Sequence, residues 1–209
     1  MLNRCLNICF VFRGWLTKQQ LAVVLISLVG LLVIACGGGN PNQAAGVTLG
    51  QRYDQDGIGF QYPDGWVVSS ADGAIFIASS QGALDSAQAG GTITTLSAGE
   101  MVITMLVFGA DVVNAIHATR PSELLVTMTQ ATSGDGVNFN EPTEATFGDK
   151  AAAQVTGSTS TTDVEFVAVR LDDGDYILLG GAAPTGDLSK LNTMLQAILG
   201  TVTINGIRE

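Results

Sequence analysis

Fifteen consecutive uncharged residues, Leu21 to Ala35 (LAVVLISLVGLLVIA), run directly into Cys36-Gly37-Gly38-Gly39. This junction decides how much of the 209-residue chain is free to build a core. A membrane-crossing helix needs about 20 apolar residues. Fifteen fall short, and three successive glycines would not continue a helix. Upstream stand Arg4, Arg13 and Lys18 and no acid, so residues 1–35 have the positive-then-apolar order of a secretory leader. Downstream, Gly37 to Gly46 (GGGNPNQAAG) has no periodic pattern and reads as a flexible tether with a reach of roughly 17 Å. The expected organisation is therefore a leader at 1–35, Cys36 with its tether to residue 46, and one globular domain over 47–209.

Val33-Ile34-Ala35-Cys36 resembles the lipobox of bacterial lipoproteins, where an aliphatic and two smaller residues precede a cysteine. The resemblance implies that the Cys36 thiol receives a diacylglyceryl group and that a peptidase cuts between Ala35 and Cys36. Cys36 then becomes the N-terminus, held at the outer face of a membrane. The alternatives are an ordinary signal peptide, or an uncleaved anchor, that ends in a cysteine.

Such processing changes the arithmetic. Six cations would face nineteen acids, and the formal charge would move from −10 to −13. An acidic domain repels phosphates, so nucleic acid is not an expected partner. Cys5 and Cys9 leave with the leader and Cys36 is acylated, so no cysteine remains for a disulfide or a structural zinc site. The fold must stand on its core.

Strand-like runs appear at Gly59–Tyr62, Trp66–Ser69, Ala74–Ala78, Met101–Phe108, Ala151–Val155, Val164–Leu171 and Tyr176–Leu179. Pro63-Asp64-Gly65, Asp72-Gly73 and Asp172-Asp173-Gly174-Asp175 separate several of them as turns. The run Met101–Phe108 is nearly all apolar, as in a strand covered on both faces. Leu124, Leu125, Met128 and Ala131 lie on one face of a helix entered at Pro121 and left at Gly134. Leu188, Leu191, Met194, Leu195, Ile198 and Leu199 mark a second helix, with Asp187 placed to cap its start and Gly200 its end. Val202 and Ile204 suit a short closing strand. The stretch Ser79–Gly99 reads as a loop with one helical turn near Ala83–Ala89. The expected class is α+β, a mostly antiparallel central sheet flanked by helices.

Gly59-Phe60-Gln61-Tyr62-Pro63-Asp64-Gly65-Trp66 resembles the opening of PsbP-like domains, in which an aromatic strand enters a Pro-Gly turn and leaves through a tryptophan. That group includes the extrinsic PsbP subunit of photosystem II and the Ran-binding Mog proteins. The likeness extends over roughly residues 47–205, through the hairpin Val164–Leu179 and the terminal helix. It implies an α/β/α sandwich and docking to other macromolecules. It transfers no active site, and the metal-binding histidines of some members have no match here.

Chemistry-bearing residues are few. Trp66 suits core packing beside Phe60 and Tyr62 better than a ligand pocket. His117 is the only histidine, and a general base or a metal ion needs further partners. Asp54-x-Asp56-Gly57 opens like a calcium loop, but its twelfth position is Gly65 rather than Glu. Asp172, Asp173 and Asp175 could hold a weak calcium or could simply be a solvated hairpin tip. No nucleophile elbow and no phosphate-binding glycine loop occurs. The long connections Ser79–Gly99 and Ser133–Thr146, with Leu84, Ile93, Leu96 and Phe139, are candidates for a contact surface. The expectation is a membrane-tethered, non-catalytic accessory or binding module with a protein partner in the envelope and no cofactor. Its rivals are a solute-binding lipoprotein, with a pocket between the terminal helix and the sheet, and a carboxylate-dependent hydrolase.

Overall fold

The computed structural model describes residues 46–89, 96–132 and 136–204, and the chain divides into units between Asn40 and Pro41. Cys36, Ile93 and Gly134 lie outside the described residues.

The fold is α+β. Two tight hairpins open it. β1 (Gln51–Gln55) and β2 (Ile58–Tyr62) turn at Asp56-Gly57, and β3 (Val67–Ala71) and β4 (Ala74–Ala78) turn at Asp72-Gly73. In both turns the two residues have positive φ, 52° and 77° in the first and 52° and 78° in the second. This is the mirror-image turn whose twist matches that of paired strands, and Asp-Gly is a sequence that tolerates it. Next come α1 (Gln81–Gln88), β5 (Val102–Phe108), α2 (Ala110–Ala115) and α3 (Pro121–Thr132). Two short strands, β6 (Asn138–Phe139) and β7 (Thr143–Phe147), precede the long meander β8 (Lys150–Ser158), β9 (Thr162–Arg170) and β10 (Tyr176–Pro184). α4 (Leu188–Leu199) and β11 (Thr203–Ile204) close the described chain.

The large sheet runs β3-β4-β5-β10-β9-β8-β6, with β7 also on β8, and every pair is antiparallel. A small sheet runs β1-β2-β11. On one face of the large sheet, Ile77, Ile103, Met105, Val167, Val169 and Leu179 pack against Leu191, Leu195 and Ile198 of α4 and against Tyr53 and Phe60 of the small sheet. On the other face, Ala153, Val155, Ala168 and Leu178 meet Val113 of α2 and Leu124 and Leu125 of α3. There α1 covers Ala78 and Val102 with Ala83 and Leu84.

Several expectations need correction. Ser79–Gly99 contains an eight-residue helix, α1, rather than a single turn. Ser80 caps it by accepting the Ala83 N–H at 3.1 Å, and its one large apolar residue, Leu84, was too little for a visible periodicity. Ser133–Thr146 contains β6 and most of β7, whose polar and small residues hide a strand's alternation. Asp187 makes no side-chain cap bond: its ψ of 10° leaves the extended region a cap uses, and its carboxylate accepts the Lys190 ammonium at 2.6 Å. β1 and α2 were not foreseen.

Candidate functional site

The acidic turns lead first. Asp54 pairs with Arg52 at 3.1 Å on the exposed edge of β1, while Asp56 sits in the hairpin turn. At the β9–β10 turn the three carboxylates part company. Asp172 binds the Lys150 ammonium at 2.8 Å, Asp173 accepts the Asp175 N–H at 3.2 Å, and Asp175 accepts the Ala110 N–H at 2.9 Å. They fasten the turn to β8 and to α2 instead of converging on one point. Among the described residues no group of three or more His, Cys, Asp and Glu is placed to hold a metal ion. His117 is exposed, in a left-handed conformation with φ 59°, where the chain leaves α2.

Trp66 is half-buried and packs against the core cluster beside the small sheet, as expected. Of the loop residues proposed as a contact surface, the three that are described turn inward. Leu84 is 4% exposed, and Leu96 and Phe139 pack partly buried against the sheet. The described residues that do expose large apolar side chains are Val112 on α2, Ile116 at its C-cap, and Val126 on α3, at 40–48%. Their signal was the four-residue step from Val112 to Ile116, hidden in a helix too short to show a stripe.

A second polar cluster ties α3 to the sheet edge. Glu123, in the first turn, accepts the Thr119 N–H at 2.7 Å and hydroxyl at 2.9 Å, and the Arg120 guanidinium at 3.1 Å. These donors hold its carboxyl down at about 2. Ser122 donates to Glu144 of β7, and Arg120 stands 3.8 Å from the same carboxylate.

The group with the least ordinary surroundings is Glu165, in the middle of β9. Strand alternation puts it on the α4 face, between Thr156 of β8 and Gly181 of β10. It is 1% exposed. Its Oε1 accepts the Asn192 amide of α4 at 2.7 Å, while Oε2 is buried without a hydrogen-bond partner. No cation faces it. Lys190 of α4 is spent on Asp187, and Asp163, on the same face of β9, accepts the Gly186 N–H at 2.8 Å. Burial therefore pushes the carboxyl pKa up, against the smaller lowering by the Asn192 bond. Gly181 lets α4 come this close: a Cβ there would lie 2.7 Å from Leu191 Cδ1. No local pattern marks the pair, although it lies where a solute pocket was expected, between the terminal helix and the sheet. As placed, it is a hydrogen-bonding group closed off from solvent. Tyr53 carries a second buried oxygen without a partner, on a ring stacked over Phe60 at 4.9 Å.

No family model and no curated protein matches this sequence. Solved structures similar to parts of it include the following three. LpqN, involved in cell envelope biogenesis of Mycobacterium tuberculosis, is 17% identical over 71% of this chain and 83% of its own, with a TM-score of 0.43. The Saccharomyces cerevisiae Ran-binding protein Mog1p is 9% identical over 75% of this chain and 96% of its own, at 0.48. A Bacteroides thetaiotaomicron protein is 10% identical over 78% of this chain and 51% of its own, at 0.43. The α+β class rests on the strand order and packing described above, not on these likenesses.

Proposed function

We propose that this protein is a lipid-anchored, extracytoplasmic accessory factor whose PsbP-like domain binds another protein and performs no chemistry of its own. The carrying observation is the leader that ends at Cys36 and passes through a glycine-rich tether into a domain whose first described strand starts at Gln51. Two acyl chains on Cys36 suffice for stable anchoring, which an acidic surface could not supply against anionic headgroups. Among the described residues no helix is long and apolar enough to cross a membrane. The three carboxylates of the Asp172–Asp175 turn are engaged by the Lys150 ammonium and by backbone amides, which fits a scaffold for docking.

The test is labelling with radioactive palmitate, with crosslinking of the native, membrane-held protein and mass spectrometry of what it captures. The expected result is a labelled protein, lost from the membrane in Cys36→Ala, and one stoichiometric partner. Native protein in the cytosol with an intact, unlipidated N-terminus would end this reading.

One observation favours a second reading, a small ligand held between α4 and the sheet: the unpartnered Glu165 Oε2 beside Asn192. A solute that raises the melting temperature of the wild type and not of Asn192→Leu would establish it.

A further inference from the structure

The outer strands of this fold are treated unequally. On one side of the large sheet the edge is β6 and β7, short pieces separated by Asn140-Glu141-Pro142, with Glu144 inside β7. The small sheet ends on β1, which carries Arg52 and Asp54, and on the two-residue β11. Shortness, charge and proline are the devices by which proteins keep a free strand from pairing with another chain. β3 has none of them. It reads Val-Val-Ser-Ser-Ala, is five residues long, and among the described residues its backbone is paired to β4 alone.

The hairpin geometry says which groups are free. A two-residue turn makes its flanking residues, Ala71 and Ala74, a hydrogen-bonded pair, so Ser69–Phe76 and Val67–Ala78 are bonded pairs too. The N–H and C=O of Val68 and Ser70 therefore point outward. The Ser79 N–H bond to Met101 O, on the far side of β4, keeps the same alternation. Val68 is half-buried against the core on the α4 face, next to Trp66, and Val67 against the α1 cluster. Each leaves an apolar shoulder that one more strand would cover.

Charge selects the occupant. No lysine or arginine occurs between Arg52 and Arg120, whereas that stretch holds seven acids. Asp64 and Asp72 bracket β3, and Asp85 stands on α1 above it, all exposed. A second copy of this chain pairing antiparallel along β3 would carry each Asp72 toward the other's Asp64. An extended segment with basic ends would meet the same acids favourably.

We propose that the free edge of β3 is a strand-addition site for an extended segment of a partner protein, with small and β-branched residues in its middle and Lys or Arg at its ends. This rests on the binding-module reading above and specifies the surface that reading lacks.

The probe is a fluorescein-labelled peptide of alternating threonine and valine with two lysines at each end. It is titrated by polarisation into the full-length, detergent-solubilised protein, beside the same core with glutamates at its ends. Saturable binding of the lysine peptide is expected, weakened by salt, with no binding of the glutamate peptide. Ser70→Pro removes an outward N–H and leaves the ladder to β4 intact, so it should weaken binding about tenfold or more. Ser70→Lys should do the same by charge, and it carries the test if circular dichroism shows that the proline variant is misfolded.

Equal binding to wild type and both variants, or no binding at all, overturns the proposal. So does a wild-type dimer that Ser70→Pro converts to monomer, since the occupant is then a second copy. Crosslinking in the membrane separates the two readings. A partner captured equally by wild type and Ser70→Pro keeps the binding module and removes the edge. A partner lost in Ser70→Pro supports both.

Discussion

Replacing Glu165 by glutamine tests the buried seam between α4 and β9 more directly than any truncation. Glutamine keeps the shape and the oxygen that accepts from Asn192, and it removes only the ability to ionise. The native carboxyl is enclosed at 1% exposure with one oxygen unpartnered, and burial raises its pKa above the ordinary carboxylate value of 4.5. The folded state therefore holds a proton that the unfolded chain has released. Wild-type stability is complete below the unfolded pKa and is lost as pH rises through the folded one. In that window the loss has a limiting slope of about 1.4 kcal/mol per pH unit, one proton's worth, and it levels off above. Below the window wild type and Glu165→Gln should agree within about 1 kcal/mol, because each leaves one buried polar atom unsatisfied. The assay is urea unfolding followed by circular dichroism at intervals from about pH 4 to pH 9, spanning the carboxylate range and beyond. The variant should be flat through the window and more stable than wild type at its upper end. Parallel curves would refute the reasoning, because they would mean that the seam already admits enough water to hold an ionised Glu165.

Other consequences follow from single contacts. Gly181→Ala pushes a Cβ to 2.7 Å from Leu191 Cδ1 and 3.3 Å from Leu195 Cδ1, so it should destabilise by about 1–3 kcal/mol. Leu191→Ala should cost about 2–5 kcal/mol, and the double variant less than the sum of the two, measured by urea unfolding. Gly73 has φ 78° with open space around it, so Gly73→Ala should lose about 1–2 kcal/mol to backbone strain alone. Gly82→Ala, in α1 with its nearest neighbour at 3.9 Å, should instead be neutral or stabilise by up to about 1 kcal/mol. The Glu123 carboxyl, at about 2, contributes stability that is present above 4.5 and lost as pH falls toward 2. Glu123→Gln should therefore shallow the acid limb of the stability curve, and carboxyl NMR should titrate Glu123 well below the ordinary value of 4.5.

What the sequence disclosed and what it hid divide along one physical line. Features written in neighbouring residues were legible. The apolar steps of Leu188 to Leu199 gave α4 within a residue, and Asp72-Gly73 and Asp172–Asp175 gave their turns. Helix α1 was reduced to a single expected turn and strand β1 was lost, because each buries very little. β1 has one buried residue, Tyr53, in QRYDQ, which alternation cannot distinguish from a loop. Glu165 was lost for the opposite reason. In Val164-Glu165-Phe166 a lone acid reads as the solvent side of a half-buried strand. Its burial is decided by Asn192, 27 residues later, and by the missing side chain at Gly181. The free edge of β3 lies furthest from local reading. Trp66 to Ser69 reads in sequence as one strand among several, and only the order β3-β4-β5-β10 leaves β3 outermost. Its charge setting, by contrast, was always countable, as the cation-free stretch from Tyr53 to Thr119. A local property, charge, thus selects a partner for a non-local one, the edge. A docking surface of this kind becomes visible only when both are known.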